Sequence, residues 1–111
     1  GHGEPRLVEA LARQARRLDH VLFAGATHEP AVALAEELVA EAGLGAARVF
    51  YSDNGSTAVE VALKIALQSA WQSGAPKRRV FVALEGGYHG DTFGAMSVGD
   101  PDPWFRPYAS M

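Results

Sequence analysis

Cysteine is absent from the 111 residues, which excludes disulfides, thiolate nucleophiles and cysteine-based zinc sites and fits a reducing compartment. No uninterrupted apolar run approaches the roughly 18 residues of a membrane span, and no signal-peptide pattern opens the chain. A cytoplasmic protein without membrane contact is expected. No basic stripe exists either: the net charge is -3, with 10 Lys and Arg scattered among 13 acidic residues, so nothing tracks a phosphodiester backbone and nucleic acid is not an expected partner. His2, His20, His28 and His89 show no ligand spacing, so no metal centre is expected. The P-loop with its lysine and the full dinucleotide fingerprint are missing too. Lysine occurs only as Lys64 and Lys77.

What is present has the balance of a globular domain, 48% hydrophobic and 21% charged, without internal repeats or low-complexity tracts. From Pro5 to about Leu18, apolar residues at 7, 8, 11, 12, 15 and 18 follow helical spacing, leaving Arg13, Arg16 and Arg17 on the wet face. The loop FAGATHEP leads into a second predicted helix, Pro30 to Ala42, with Gly43 as its stop. RVFYS then reads as a strand, Ser56 to Trp71 as a helix, and RVFVAL as a second strand. Both apolar runs are nearly continuous, as in parallel strands covered on both faces, so the spacing predicts an α/β layered fold built on a parallel βαβ unit. The proline-bearing tail after Val98 reads as irregular chain.

The stretch DNGSTAVEVALK breaks the first apolar run with a polar cluster and restarts at once as a helix. A turn in that place puts Gly55, Ser56 and Thr57 where the first-turn amides and the helix dipole favour an anion. Thr57 with Glu60 three residues later also fits a capping box, which requires no ligand. Residues alone leave both readings open.

EGGYHGDT follows the second predicted strand. Parallel strands deliver their carboxyl ends to one sheet edge, so Tyr88, His89 and Asp91 are expected near the Gly55–Thr57 turn. A flat aromatic beside an anion cradle suits a planar cofactor carrying a phosphate. A glycine-rich turn with a buried Tyr and a satisfied His is the plainer alternative, and Asp91 could equally cap a helix over TFGAMS.

LDHVLFAGATHEPAVALAEEL, VFYSDNGSTAVEVALKIALQ and GGYHGDTFGAMSVGD together resemble one family, the adenosylmethionine-8-amino-7-oxononanoate aminotransferases. These are biotin-synthesis members of the class III pyridoxal-phosphate transaminases. The resemblance runs from Gly1 to Asp100, and the joint presence of THEPA, DNGSTAVEVALK and YHGDTFGAMSVGD narrows it within the class. It implies that the chain is a fragment of the large cofactor-binding domain of a fold-type I pyridoxal-phosphate transferase, residues 1–111 forming part of that domain with no second domain present. It further implies that pyridoxal 5'-phosphate is held by Gly55, Ser56, Tyr88 and His89. Tyr88 would lie on the pyridine ring, and Asp91 with Tyr88 would meet the substrate. The implied reaction is amination of 7-keto-8-aminopelargonate to 7,8-diaminopelargonate, with S-adenosylmethionine as donor, or lysine in some relatives. A homodimer is implied as well, with Phe23, Gly25, Thr27 and His28 as interface candidates. Two rival functions remain: another class III transaminase acting on ω-amino acids, and a non-catalytic α/β module that binds a phosphate ligand.

Transaminase chemistry requires a lysine that holds the cofactor covalently and an acid at the pyridine nitrogen. In the resembled family both fall beyond position 111, so no catalytic residue is assigned within this chain. Lys64 follows Glu60 by four residues, the favourable order for a solvated helical pair, and Lys77 sits in the turn PKRR. The 111-residue chain alone is therefore expected to be inactive. Borohydride reduction after mixing with pyridoxal 5'-phosphate should leave no stoichiometric, site-specific label; clean labelling of Lys64 would show that its helix face has been misread.

Overall fold

The computed structural model describes residues 1–43, 45, 47–101 and 105–108. The chain divides into two compact units, Gly1–Val49 and Phe50–Met111.

The first unit carries α1 (Pro5–Arg17) and α2 (Glu29–Glu41). Pro5 opens α1, where its missing N–H costs nothing, and Arg16 and Arg17 fall in the last turn, facing the negative end of the dipole. His28 caps α2, its Nδ1 accepting the Ala31 N–H at 3.4 Å, and Gly43 leaves the helix with φ 62°, a left-handed turn that glycine adopts without strain. Arg17 joins Glu29 at 2.9 Å. Leu7 and Leu11, the stripe that helical spacing assigns to a core, stand exposed on α1 at 65% and 73%.

The second unit is built on α3 (Gly55–Gln72), against which packs the short α4 (Phe93–Ser97). A single helical turn at Arg106–Tyr108 then packs on α4, where the sequence suggested only irregular chain. Its core is Ala95, fully buried in α4, and Phe105. A side chain as small as Ala lets α4 sit close to α3. Phe93 meets Tyr108 edge-on at 6.1 Å and completes the packing.

The helices expected from apolar spacing form within a residue or two of their expected ends. RVFYS and RVFVAL carry no sheet pairing among the described residues. A strand needs a neighbouring backbone to satisfy its N–H and C=O groups, and no described segment supplies one. The expected burial on both faces is likewise not seen, since Val80 and Val82 are more than 90% exposed.

Candidate functional site

The site begins where α3 begins. Asn54, in extended conformation, accepts the Thr57 N–H on Oδ1 at 3.0 Å, while Thr57 Oγ1 accepts the Asn54 N–H at 3.2 Å. This reciprocal pair is the capping box, and it replaces the Thr57–Glu60 box suggested by the sequence because Asn54 lies one turn earlier, where the cap is needed. Gly55 and Ser56 become the first two helical residues, and the helix offers no acceptor to their amides. Two amides and the positive end of an 18-residue helix therefore point at one spot.

A second turn is seated against Ser56. The Thr92 N–H donates to Ser56 Oγ at 3.0 Å, and the two hydroxyl oxygens lie 2.7 Å apart. Gly90, buried with φ 117°, backs onto the same serine. A Cβ there would overlap Ser56 Cβ and Oγ, so only glycine lets the turn close. Tyr88, His89 and Asp91 are carried by this turn, and with Gly55 and Ser56 they line an open concavity of about 730 Å³. All five residues that the sequence singled out for cofactor or substrate thus share one wall.

The Tyr88 hydroxyl donates to Asp91 Oδ1 at 3.2 Å. This hydrogen bond, helped by the Asp91 charge and by desolvation, raises the phenol above its ordinary pKa. One ring face stacks on Phe105 at 6.0 Å with planes 23° apart, yet the residue remains 66% exposed, so the plainer alternative of a buried tyrosine does not hold. Asp91 is not a helix cap. The cap position of α4 belongs to Thr92, whose side chain makes no capping bond there. His89 rests against Gly87, where a Cβ would come within 3.0 Å of Nε2.

Glu60 and Thr92 were not singled out for the site from the sequence. Glu60 lies one turn beyond Ser56 on α3, so both reach toward the same neighbour. Its Oε1 accepts the Gly94 N–H at 2.6 Å and the Ala95 N–H at 3.3 Å. Hydrogen bonding by the Thr92 side chain, together with the two amides and the Lys64 charge, outweighs desolvation and holds Glu60 below its ordinary pKa. Stability from this contact is present above the unfolded carboxylate range and is lost as pH falls through the lowered value. The i,i+4 spacing of Ser56 and Glu60 was the available signal.

Phe23, Gly25, Thr27 and His28 lie in the first unit, where the Phe23 and His28 rings approach to 5.2 Å.

A helix-start turn and an aromatic–acid turn, joined through Ser56, are the arrangement found in a chain whose residues 1–108 match the family Aminotransferase class-III. The chain belongs to the class III aminotransferases. It is 53% identical over its whole length to the adenosylmethionine-8-amino-7-oxononanoate aminotransferase of Synechococcus elongatus, covering 26% of that protein. It is 50% identical over 92% of its length to the enzyme of the same name from Corynebacterium glutamicum, covering 24% of it. Among solved structures it resembles an amine transaminase from an uncultivated Pseudomonas species in its PLP-bound form. That match has a TM-score of 0.81 and 40% identity, over 89% of this chain and 23% of the other. The chain therefore spans about a quarter of the length of the relatives it matches.

The Gly90–Ser56 contact generates a direct expectation. In the full-length protein, Gly90→Ala should part the two turns and lower the thermal midpoint by several degrees, since a non-glycine residue at this φ costs about 1–3 kcal/mol before the overlap is counted. A variant that melts with the wild type would show that the turns are not in contact.

Proposed function

We propose that the chain is part of a pyridoxal 5'-phosphate-dependent transaminase of biotin biosynthesis. It would aminate 8-amino-7-oxononanoate (7-keto-8-aminopelargonate) to 7,8-diaminopelargonate, with S-adenosylmethionine as donor. The observation that carries this reading is the single wall shared by the Gly55–Ser56 turn and the Tyr88–Asp91 turn. The names of the relatives at 53% and 50% identity supply the reaction.

The cofactor fits the residues present. Two first-turn amides offer donors to a phosphate, the concavity has the volume of a small-molecule site, and the exposed Tyr88 ring offers a flat face beside it. When bound, pyridoxal phosphate supplies an electron sink for the carbon bearing the amino group. This chain's own residues bind and orient. The Gly55 and Ser56 amides would hold the phosphate, Tyr88 would lie over the ring and exclude water, and His89 would complete the wall. Asp91 takes the ammonium of the substrate, exchanging the Tyr88 hydroxyl for a charged donor. The covalent lysine and the acid at the pyridine nitrogen are assigned to the remainder of the enzyme.

In that enzyme, residues 1–111 form part of the large cofactor domain, and segments 48–52 and 79–84 are parallel strands of its sheet. The nearly continuous apolar runs of both segments support this, because parallel strands covered on both faces carry such runs. A homodimer in which Phe23, Gly25, Thr27 and His28 meet the second subunit belongs to the same proposal, as does a cytoplasmic setting, which rests on the cysteine-free sequence.

A second reading is favoured by the amine transaminase at 40% identity: a class III transaminase for other amines. Assaying the full-length enzyme with 7-keto-8-aminopelargonate and a panel of amino donors separates the two. Turnover of that keto acid with S-adenosylmethionine or lysine is expected, and turnover confined to simple amines would overturn the biotin assignment. Asp91→Asn should lower kcat/KM for the keto acid by about ten- to a hundredfold, the worth of one charged hydrogen bond of about 1.5–3 kcal/mol, while leaving cofactor affinity near wild type. A variant that keeps kcat/KM but melts lower would restrict Asp91 to a structural part.

A further inference from the structure

Glu60 has no part in the site just proposed, yet two backbone amides converge on it. Its carboxylate holds the Gly94 and Ala95 amides. Thr92 in turn is bound through both its N–H and its hydroxyl to Ser56 Oγ. Ser56 and Glu60 stand one helical turn apart on α3, so Thr92 and the Gly94–Ala95 backbone that follows it are held from two rungs of the same helix. Gly94 comes so near that a Cβ on it would overlap the Glu60 carboxylate, so the reach of that side chain is matched to a bare backbone.

We infer that Glu60 is a positioning residue for the anion turn: by clamping Gly94 and Ala95 it sets the place of Thr92 and, through the Thr92–Ser56 contact, the place of the Ser56 amide that faces the phosphate. The inference rests on the cofactor reading above. Its content is that reach matters rather than charge. An Asp at 60 would be one methylene too short for the Gly94 amide, whereas a Gln would still present a carbonyl oxygen at the same distance. Ser56 faces only the phosphate end of the cofactor. A displaced Ser56 therefore weakens pyridoxal 5'-phosphate and leaves pyridoxal, which lacks the phosphate, unaffected.

The experiment measures dissociation constants of both compounds by absorbance titration of the full-length apoenzyme. Wild type should prefer pyridoxal 5'-phosphate. Glu60→Asp and Ser56→Ala should each cut that preference about tenfold, the worth of one charge-assisted hydrogen bond, and Glu60→Gln should stay within about threefold of wild type. Combining Glu60→Asp with Ser56→Ala should add nothing further, because one path is being broken twice. A merely structural glutamate would lower the melting temperature and weaken both compounds together, with the preference unchanged, and that result overturns the inference. So does an Asp variant that keeps the preference while Gln loses it. If Glu60→Asp fails to fold, Gly94→Ala displaces the same carboxylate with Glu60 intact and should show the same tenfold fall; an unchanged preference there is equally fatal. A wild type that binds the two compounds equally sinks the cofactor reading itself. A preference that Ser56→Ala abolishes and Glu60→Asp leaves intact sinks the Glu60 inference alone.

Discussion

The site depends on one hydrogen-bonded contact, between the Ser56 hydroxyl and Thr92, residues 36 positions apart in sequence. Before it forms, α3 has an N-terminus like any other and the glycine turn has an aromatic and an acid with nothing to act on. Once Thr92 is bound to Ser56, the amides of Gly55 and Ser56 and the side chains of Tyr88 and Asp91 face one space. Every other local feature serves that juncture. Asn54 uses its side chain to satisfy the third amide and leaves the first two outward. Gly90 gives up its Cβ so that the backbone can reach Ser56. Ala95 lets α4 pack flat, and Phe105 supports the Tyr88 ring from behind.

Electrostatically the juncture is arranged to receive negative charge at one end and positive charge at the other. The helix dipole and two amides favour an anion, while Asp91 favours a cation and meanwhile keeps its oxygen occupied with the Tyr88 proton. The two ends lie on different chain segments, so the distance between them is set by tertiary contact and not by sequence spacing.

Helices were the legible part of the fold, because an apolar stripe at helical spacing is a local signal, and α1, α2 and α3 each begin at a Pro, Glu or Gly beside the predicted start. The sheet was legible as composition only. Segments 48–52 and 79–84 have the apolar run of covered strands, but a ladder is a property of at least two backbones, and among the described residues neither segment has a partner. The apolar stripes of Leu7 and Leu11 and of Val80 and Val82 stand exposed. The candidate site was legible in its chemical groups, since glycine, serine, tyrosine and aspartate announce turns and donors. Its joining was not. Glu60 looked like half of a capping box with Thr57 or of an ion pair with Lys64, and only the fold brings it to the Gly94 amide.

The central claim is that one phosphate and one ring are held together by the Gly55–Ser56 turn and Tyr88. Crystals of the full-length protein grown with pyridoxal 5'-phosphate test it most directly. The account predicts the phosphate within hydrogen-bonding distance of the Gly55 and Ser56 amides and the pyridine ring parallel to Tyr88. A cofactor bound with its phosphate away from the start of α3, or with Tyr88 turned off the ring, would contradict it.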